Sequence, residues 1–445
     1  MERLHAASCR RSFTMSVLSA LRLSARPSAA FAALGGFWGC FAAYVPVIKD
    51  GLNVSDGTFG LLLLGSATGL VSAMWIAPAV DRRLGGRAMQ VLACAFAAVW
   101  LLPGLMGAPL LFFAALYAVG LCSGLLDVTM NARVSELEAV HRRSLMNAAH
   151  GMFSVGYTLG AVWAGLAREA GLSPTMALAC VGALVVLLLV PRMYQEPVRA
   201  EVPPAGRGAW PLVPVLLCGG VVLSAFMTEA ATESWSALHI ERTLGGRAAE
   251  GALGPAMLGI TMALGRFGGQ AVAERLREVQ VIVAAAVLAG AGLLVAALAV
   301  APWMAQAGFG LFGLGVSVIG PMGLALVGQM VAPHWRTEAI SRAAVMGFSG
   351  FFFAPVLMGL ISEAAGLRAA FAAMALLVAM AAPLALVLAR RPMPGGLGCG
   401  LGMPPLPRRD EAIRSRRADA SEPPGCRRSC RGHDARSGRV RASRS

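Results

Sequence analysis

Apolar residues occur along this chain in long blocks, which short polar segments rich in arginine, proline and glycine separate. A helix that crosses the hydrocarbon core of a bilayer needs about 20 mostly apolar residues. The pattern therefore predicts an all-α integral membrane protein with twelve transmembrane helices. The predicted spans are Ala29–Ile48, Thr58–Ala79, Ala88–Met106, Pro109–Met130, Ser144–Ala167, Thr175–Pro191, Leu212–Leu238, Ala252–Ala273, Gln280–Val300, Trp303–Val331, Ala339–Ile361 and Arg368–Ala389.

The longest polar segment within this series is 192–211, which contains Pro197, Pro203 and Pro204 among charged residues. Such a composition is typical of a flexible linker, and it divides the spans into two sets of six. The tail has no apolar periodicity, which predicts disorder. The predicted organisation is an extension at 1–28, a six-helix bundle at 29–191, a linker at 192–211, a second bundle at 212–389 and a basic, disordered tail at 390–445.

Two pairs of similar segments suggest that the halves are related. The second span is followed by Asp81-Arg82, and the eighth is followed by Glu274-Arg275. The segment 165–172 after the fifth span resembles the segment 359–367 after the eleventh, and both pairs match in place and order. Internal repeats of this kind are common in secondary transporters. The sequence thus predicts two six-helix pseudo-repeat halves.

Composition supports a membrane protein: 57% of the residues are hydrophobic and 14% are charged, against about 25% charged in soluble proteins. The formal net charge is +15, but the tail from Arg390 holds fourteen arginines and five acidic residues, so it supplies nine of these charges. No basic stripe with interleaved aromatic residues occurs, so we expect no nucleic-acid partner. Cys426, Cys430 and His433 have a loosely metal-like spacing, which we interpret as chance in a biased segment.

The basic residues of the short loops predict the orientation, because arginine and lysine are enriched on the cytoplasmic side. We expect an inner-membrane protein with both termini in the cytoplasm and no cleaved signal peptide. Thirteen arginines lie on the side where the first span begins: Arg82, Arg83, Arg87, Arg133, Arg142, Arg143, Arg192, Arg199, Arg207, Arg275, Arg277, Arg336 and Arg342. The other side has five basic residues: Lys49, Arg168, Arg242, Arg247 and Arg368.

Ionisable residues inside membrane spans are costly, by about 2.5–3.5 kcal/mol each on insertion scales, and so are functional candidates. Asp127 in the fourth span and Glu229 in the seventh are the predicted proton-coupling residues, since a carboxylate held away from water can bind and release a proton near neutral pH. The predicted cavity residues are Asn131, His150, Arg266 and Gln270.

Each of these residues also has a structural interpretation. Asp127 and Asn131 lie four residues apart on one helix face, and their role can simply be to hold helices together through hydrogen bonds. His150 can donate to a backbone carbonyl, and Arg266 can pair with either Glu229 or Asp127. Glu233, one turn beyond Glu229, lies near the outer interface, where we expect a solvated carboxylate.

The loops and the glycine-rich tenth span suggest how the protein could move. Five charged residues are predicted to latch the cytoplasmic side: Asp81, Arg82, Arg87, Glu274 and Arg275. The glycines between Gly308 and Gly315 permit the close packing that would let the halves rock. The sequence contains no phosphate-binding Gly-x-x-x-x-Gly-Lys-Ser/Thr loop, no Gly-x-Ser-x-Gly elbow and no catalytic metal spacing. We therefore expect neither an enzyme nor a bound cofactor or metal.

Several strings resemble the major facilitator superfamily over Ala29–Arg391. Asp81-Arg82-Arg83-Leu84-Gly85-Gly86-Arg87 resembles its loop motif, although Ala77 stands where a glycine is usual. Four strings resemble the YbjJ/MosC-like branch, which is similar to fucose permeases: Leu126 to Asn131, His150 to Gly156, Glu229 to Leu238 and Met262 to Gly269. Ser234 and Gln270 stand where that branch would have aspartates, so a mechanism that needs those acids is in doubt.

The resemblance implies the twelve-helix fold and solute transport. We expect a monomeric, proton-coupled symporter in the lipid bilayer that moves a small polar, sugar-like solute by alternating access. Two other functions fit the same sequence: a proton-driven efflux pump for amphipathic compounds, and a membrane sensor that transports nothing. An efflux pump tends to have aromatic and aliphatic cavity walls, whereas a sugar site needs several converging polar groups.

Overall fold

The computed structural model describes residues 17–198, 210–273, 277–332 and 335–390, and it is helical through most of these ranges. A short helix, Val17–Leu23, precedes the first long one. Ten helices, labelled α1 to α10, are Ala25–Leu52, Asp56–Leu84, Ala88–Val99, Pro109–His141, Met146–Glu169, Pro174–Leu184, Leu212–Leu238, Ala248–Ala273, Glu278–Leu298 and Pro302–Met330. The tail and the central part of the predicted linker lie outside the described residues.

The last helical stretch, Arg336–Ala379, is two helices joined at a kink. Gly366 has φ +82° and ψ 165°, a backbone conformation that glycine adopts without a steric penalty from a side chain. We call the helix before this residue α11 and the one after it α12, which continues through Ala381–Ala389.

The helices are compatible with the twelve predicted spans. Within the described ranges, eight continuous stretches are long and apolar enough to cross a membrane, and two of them, Asp56–Val99 and Glu338–Ala389, each contain two predicted spans. The remaining two spans are α5 and α8, the helices that carry His150 and Arg266. The fold is therefore the predicted all-helical one.

Several helix ends differ from the predicted spans. Helix α4 continues to His141, eleven residues beyond the predicted end at Met130. Helix α7 continues in a π-helical turn, His239–Thr243, and α3 ends at Val99, before the predicted Met106. Apolar composition marks only the part of a helix that lies in lipid, so polar extensions of a helix are missed.

Consecutive helices run in opposite directions and so define two ends of the bundle. We call the end at which α1 begins and α2 terminates the Asp81 face, and the end at which α1 terminates and α2 begins the Asp56 face. Ser55 caps the start of α2 by accepting a hydrogen bond from the Thr58 amide at 3.2 Å, as is typical of serine before a helix. The described chain therefore turns tightly between α1 and α2 at the Asp56 face.

The helices pair in the same way in both sets of six. Helix α1 packs on α5 and α2 on α4, while α7 packs on α11 and α8 on α10. Between the sets, α5 packs on α8 and α2 on α11. The first pair is very close: a Cβ at Gly39 would overlap the Tyr157 carbonyl oxygen, and one at Gly156 would overlap that of Ala32.

The glycines of α10 pack closely against neighbouring helices. Gly308 and Gly315 lie against the backbone of α9, and Gly313 lies against Leu258 of α8. These contacts are all among the last six helices. The glycines therefore allow the predicted close packing, here within the last six helices, and their effect on rocking of the two sets stays a prediction.

Candidate functional site

The predicted acid of α4 lies about halfway along its helix, with its carboxylate beside Asn131. The Asn131 side-chain amide donates to Asp127 Oδ1 at 3.1 Å and to the Asp127 carbonyl oxygen at 2.9 Å. This is the geometry expected of residues at i and i+4 on one helix. No described cation forms an ion pair with Asp127.

His150 connects this pair to α5. Its Nε2 atom lies 3.3 Å from Asn131 Oδ1, and its ring centroid lies 4.7 Å from that of Phe31 on α1. One turn further along α5, the Ser154 hydroxyl lies 3.4 Å from the His150 carbonyl oxygen, to which it donates. The described contacts of the His150 ring are thus with a side-chain amide and an aromatic ring.

Arg266 on α8 then joins the first six helices to the last six. Its Nη1 donates to Ser154 Oγ at 2.6 Å and approaches the His150 carbonyl oxygen at 3.4 Å. Its Nη2 forms an ion pair with Glu229 of α7 at 3.0 Å, and both side chains are about nine-tenths buried. Of the two partners that the sequence left open for Arg266, the structure selects Glu229.

The structure thus brings five of the six predicted coupling and cavity residues into one polar chain that runs from α4 through α5 and α8 to α7. The members in order are Asp127, Asn131, His150, Ser154, Arg266 and Glu229. A crevice lined by Asn147, Arg266 and Ser317 reaches this chain, and Asn147 is in the first turn of α5, at the Asp81 face. The position of Gln270 is one turn along α8, and its side chain is not described.

Glu233 is deeper than the sequence suggested. Because α7 continues to Thr243, this residue lies ten positions before the end of its helix, or about 15 Å along the axis at 1.5 Å per residue. It is only partly exposed. The expectation of a solvated carboxylate at the outer interface was therefore wrong, because the apolar pattern placed the end of the helix too early.

The Asp81 face is organised around Arg133 of α4, which is 1% exposed. Its guanidinium binds Asp81 of α2 at 2.6 Å and Glu136 at 3.0 Å. The Gln195 side chain donates to the Arg133 carbonyl oxygen at 3.3 Å. All of these contacts lie within the first six helices and the segment that follows them.

The predicted latch residues separate into three groups. Asp81 pairs with Arg133, as described above. Arg82 and Arg87 are exposed and form no hydrogen bond or ion pair with a described residue. Glu274 and Arg275 lie outside the described residues. The role of this set as a latch stays a prediction.

At the Asp56 face, by contrast, charged groups connect the two sets of helices. Asp56, the first residue of α2, lies 3.0 Å from Lys49 of α1. Its carboxylate also accepts from Arg242, which follows α7, at 2.6 Å, and from Ser362 of α11. One buried carboxylate therefore holds the first six helices to both α7 and α11.

A second ion pair crosses the same face nearby. The two terminal nitrogens of Arg168, on α5, donate to the two carboxylate oxygens of Glu241, beyond α7, at 2.6 and 2.7 Å. Arg168 also donates to the Ala43 carbonyl oxygen of α1 at 2.6 Å. A two-pronged arginine–carboxylate pair fixes orientation as well as distance.

Two glutamates complete this face by binding helix N-termini. Glu363 of α11 accepts from the Gly57 amide and from the Ser55 hydroxyl, at 2.7 and 2.8 Å, at the start of α2. Glu169 of α5 accepts from the Ala249 amide at 3.1 Å, at the start of α8. Carboxylates stabilise helix N-termini because unpaired amides and the helix dipole favour negative charge there.

These two glutamates occupy matching places in the repeat. Glu169 lies four residues after Gly165, and Glu363 lies four residues after Gly359. Gly165 packs on α8, and Gly359 packs on α2. The sequence showed the segments as a repeat but did not identify them as contacts. The similarity of the two segments could have predicted these contacts. By contrast, nothing in the sequence around Asp56, Glu241 or Arg242 indicates their partners.

Among the described residues, no group of three or more histidine, cysteine, aspartate or glutamate side chains could hold a metal ion. Cys426, Cys430 and His433 lie outside the described residues. The arrangement at the centre of the bundle can therefore offer carboxylates, an amide, an imidazole, a hydroxyl and a guanidinium to a ligand. These groups can hydrogen-bond a polar molecule and can hold a proton.

The chain is similar to known proteins along most of its length. The family model of the Major Facilitator Superfamily matches residues 28–305 and 215–399. An MFS-type transporter of Yersinia pestis is 29% identical over 76% of this chain and 88% of its own length. The membrane protein MosC of Rhizobium meliloti is 27% identical over 74% of this chain and 80% of its own length.

A solved structure shows the same fold. It is that of a bacterial homologue of the human lysosomal transporter Spinster, in an inward-facing and occupied conformation. The TM-score is 0.66 at 15% identity, over 83% of this chain and 96% of that one.

Proposed function

The chain belongs to the Major Facilitator Superfamily, and we propose that it is a proton-coupled symporter that moves a small polar solute by alternating access. Membership of this family supports secondary transport across a membrane. The solute class and the coupling ion are our proposal, as is the location in the inner membrane.

One observation carries the proposal: a polar chain crosses between the two sets of helices at mid-depth, with a closed face on one side of it. Arg266 touches Ser154 of the first set and Glu229 of the second. Ion pairs between the sets lie only at the Asp56 face of the described structure. Alternating access requires such a central site between two bundles that rock against each other.

The direction of opening follows from the proposed orientation. Thirteen loop arginines predict that the Asp81 face is cytoplasmic, and the ion pairs between the two sets of helices lie at the opposite, Asp56 face. The conformer described here would then be closed at the outer side. The similar Spinster homologue was solved in an inward-facing conformation, which supports this assignment.

The chemistry of the site favours a polar solute over an amphipathic one. The central chain presents an amide, an imidazole, a hydroxyl and a guanidinium from three helices. Such converging donors and acceptors suit a hydroxyl-rich molecule, and an aromatic and aliphatic cavity would have favoured efflux of amphipathic compounds. The resemblance to sugar transporters is analogy of fold, so the solute must be found by experiment.

Replacement of Asp127 tests the coupling. In vesicles that contain the purified protein, Asp127→Asn should abolish pH-driven solute accumulation and leave exchange of solute partly intact, because the site keeps its shape and loses its titratable group. The solute is first identified by thermal stabilisation of the purified protein with a panel of sugars, polyols, amines and nucleosides.

Asp50→Asn is the matched control, since this carboxylate is exposed in the last turn of α1 and should leave accumulation unchanged. If Asp127→Asn accumulates solute with an unchanged pH dependence, Asp127 has no part in coupling. If no solute in the panel moves protons with the wild-type protein, proton coupling itself is wrong.

A further inference from the structure

Helix α7 carries two carboxylates one turn apart, and the structure supplies only one of them with a cation. Glu229 pairs with Arg266 at 3.0 Å, and the other terminal nitrogen of Arg266 is directed to Ser154 and His150. Glu233 forms no hydrogen bond or ion pair with any described residue. A partly buried carboxylate without a partner is unfavourable as an ion, so Glu233 is the group that needs a proton.

The other charges around Glu233 do not neutralise it. Glu229, one turn away on the same helix, repels it, and Arg266 of α8 is paired with Glu229. Helix α10, which packs on α7, has no ionisable residue. The charged residues of α1, α11 and α12 lie near their helix ends: Arg26, Lys49, Asp50, Arg336, Glu338, Arg342, Glu363 and Arg368.

We propose that Glu233, and not Glu229, is the glutamate of α7 that binds a coupled proton. This inference rests on the proposed proton-coupled function. The proton comes from water, adds to a carboxylate oxygen of Glu233 and later returns to water, and no electron moves. Glu229 is then a structural anion that holds Arg266 in place.

The arrangement also explains how a proton could affect the contact between the two sets of helices. While Glu233 is neutral, Arg266 interacts with Glu229 and Ser154 as described. When Glu233 loses its proton, two negative groups about 5–6 Å apart at Cβ compete for one guanidinium. The Arg266–Ser154 contact, which spans α8 and α5, should weaken as a result.

Infrared spectroscopy of the purified, reconstituted protein tests this assignment without a solute. Difference spectra between acidic and alkaline pH report protonated carboxyl groups by their C=O stretch. Glu233→Gln should remove one component of this signal, and Glu229→Gln should retain it. Survival of that component in Glu233→Gln, or its loss in Glu229→Gln alone, would overturn the proposal. Should Glu229→Gln fail to fold, Glu169→Gln replaces it as the control and must retain the component.

Failure of this inference is distinguishable from failure of the proposed function. If the wild-type protein takes up protons with its solute, and Glu233→Gln does so equally well, then Glu233 is not the coupling group and the transport function stands. If the wild type shows no proton movement with any solute in the panel, proton coupling is wrong, and so is the coupling role of Glu233.

Discussion

The two faces of the bundle differ in where their charged residues find partners. At the Asp56 face, Arg168 of the first set of helices pairs with Glu241 of the second, and Arg242 of the second set pairs with Asp56 of the first. At the Asp81 face, the buried Arg133 finds both of its anionic partners within its own set. Loop arginines are more numerous at the Asp81 face, yet no described ion pair crosses between the sets there.

The comparison shows that the closed face is not simply the more highly charged one. A pair within one set stays intact when the sets rock, so it stabilises both conformers and favours neither. A pair between the sets must break when its face opens, so its free energy enters the conformational equilibrium. Breaking a buried pair by removing one partner is unfavourable by about 3–5 kcal/mol, and an exposed pair contributes about 0–1 kcal/mol.

The largest effect should come from Arg168→Gln. The change leaves the partly buried Glu241 without its two-pronged partner and the Ala43 carbonyl without a donor. We expect the closed Asp56 face to lose about 2–3 kcal/mol, which is about 30- to 150-fold in the conformer ratio. Spin labels at Gly51→Cys and Ala365→Cys, both exposed at this face, should report longer distances in a cysteine-free background.

Arg168→Lys is the control for charge alone. Lysine keeps the positive charge but cannot form the two-pronged contact, so its label distances should lie between those of the wild type and Arg168→Gln. An unchanged distance distribution in Arg168→Gln would mean that this ion pair does not hold the face closed.

The second effect, at the Asp81 face, should be on stability alone. Arg133→Gln removes the cation that Asp81 and Glu136 share, and water can reach both carboxylates. We expect the free energy of unfolding to fall by about 1–2 kcal/mol, measured as a lower Tm in detergent. The label distances across the Asp56 face should stay as in the wild type. Longer distances there would show that the two faces are coupled through Arg133.

The spans and the central site could be predicted from the sequence because both depend on local pattern. Asp127 with Asn131 follows from i, i+4 spacing within one helix, and rare polar residues in apolar helices mark a shared polar region. The partners at the Asp56 face could not be predicted in this way. Asp56 and Arg242 are 186 positions apart, and both lie outside the apolar blocks that defined the spans.

Glu233 shows the same limit within one helix. The apolar block ended at Leu238, so the carboxylate was placed near water, whereas the continued helix through Thr243 places it deeper. Arg242 in that last turn was counted as a loop charge, but both it and Glu241 form ion pairs between the two sets of helices. Composition therefore located the lipid-facing part of α7 and missed the part that binds protein.

The third effect tests the equivalence of the two repeat segments. Glu363→Gln and Glu169→Gln each remove the negative charge from a helix N-terminus of the other set. We expect each to lower the stability of the closed face by about 0.5–1 kcal/mol. Glu363→Gln should have the larger effect, because this side chain accepts two hydrogen bonds at α2. Label distances and Tm are measured for both variants. If the two variants changed these quantities in opposite directions, the two repeat segments would not be equivalent.

The smallest effect should come from Arg247→Gln, which removes a charge from the Asp56 face without removing a contact between the sets. Arg247 is 78% exposed and lies 3.7 Å from Glu250, three residues along the chain. Such a pair contributes less than about 0.5 kcal/mol, so both Tm and the label distances should stay at wild-type values. Its net charge change equals that of Arg168→Gln. If both variants open the Asp56 face equally, total charge controls the opening. If Arg247→Gln leaves the label distances nearly unchanged, ion pairs between the two sets of helices control it.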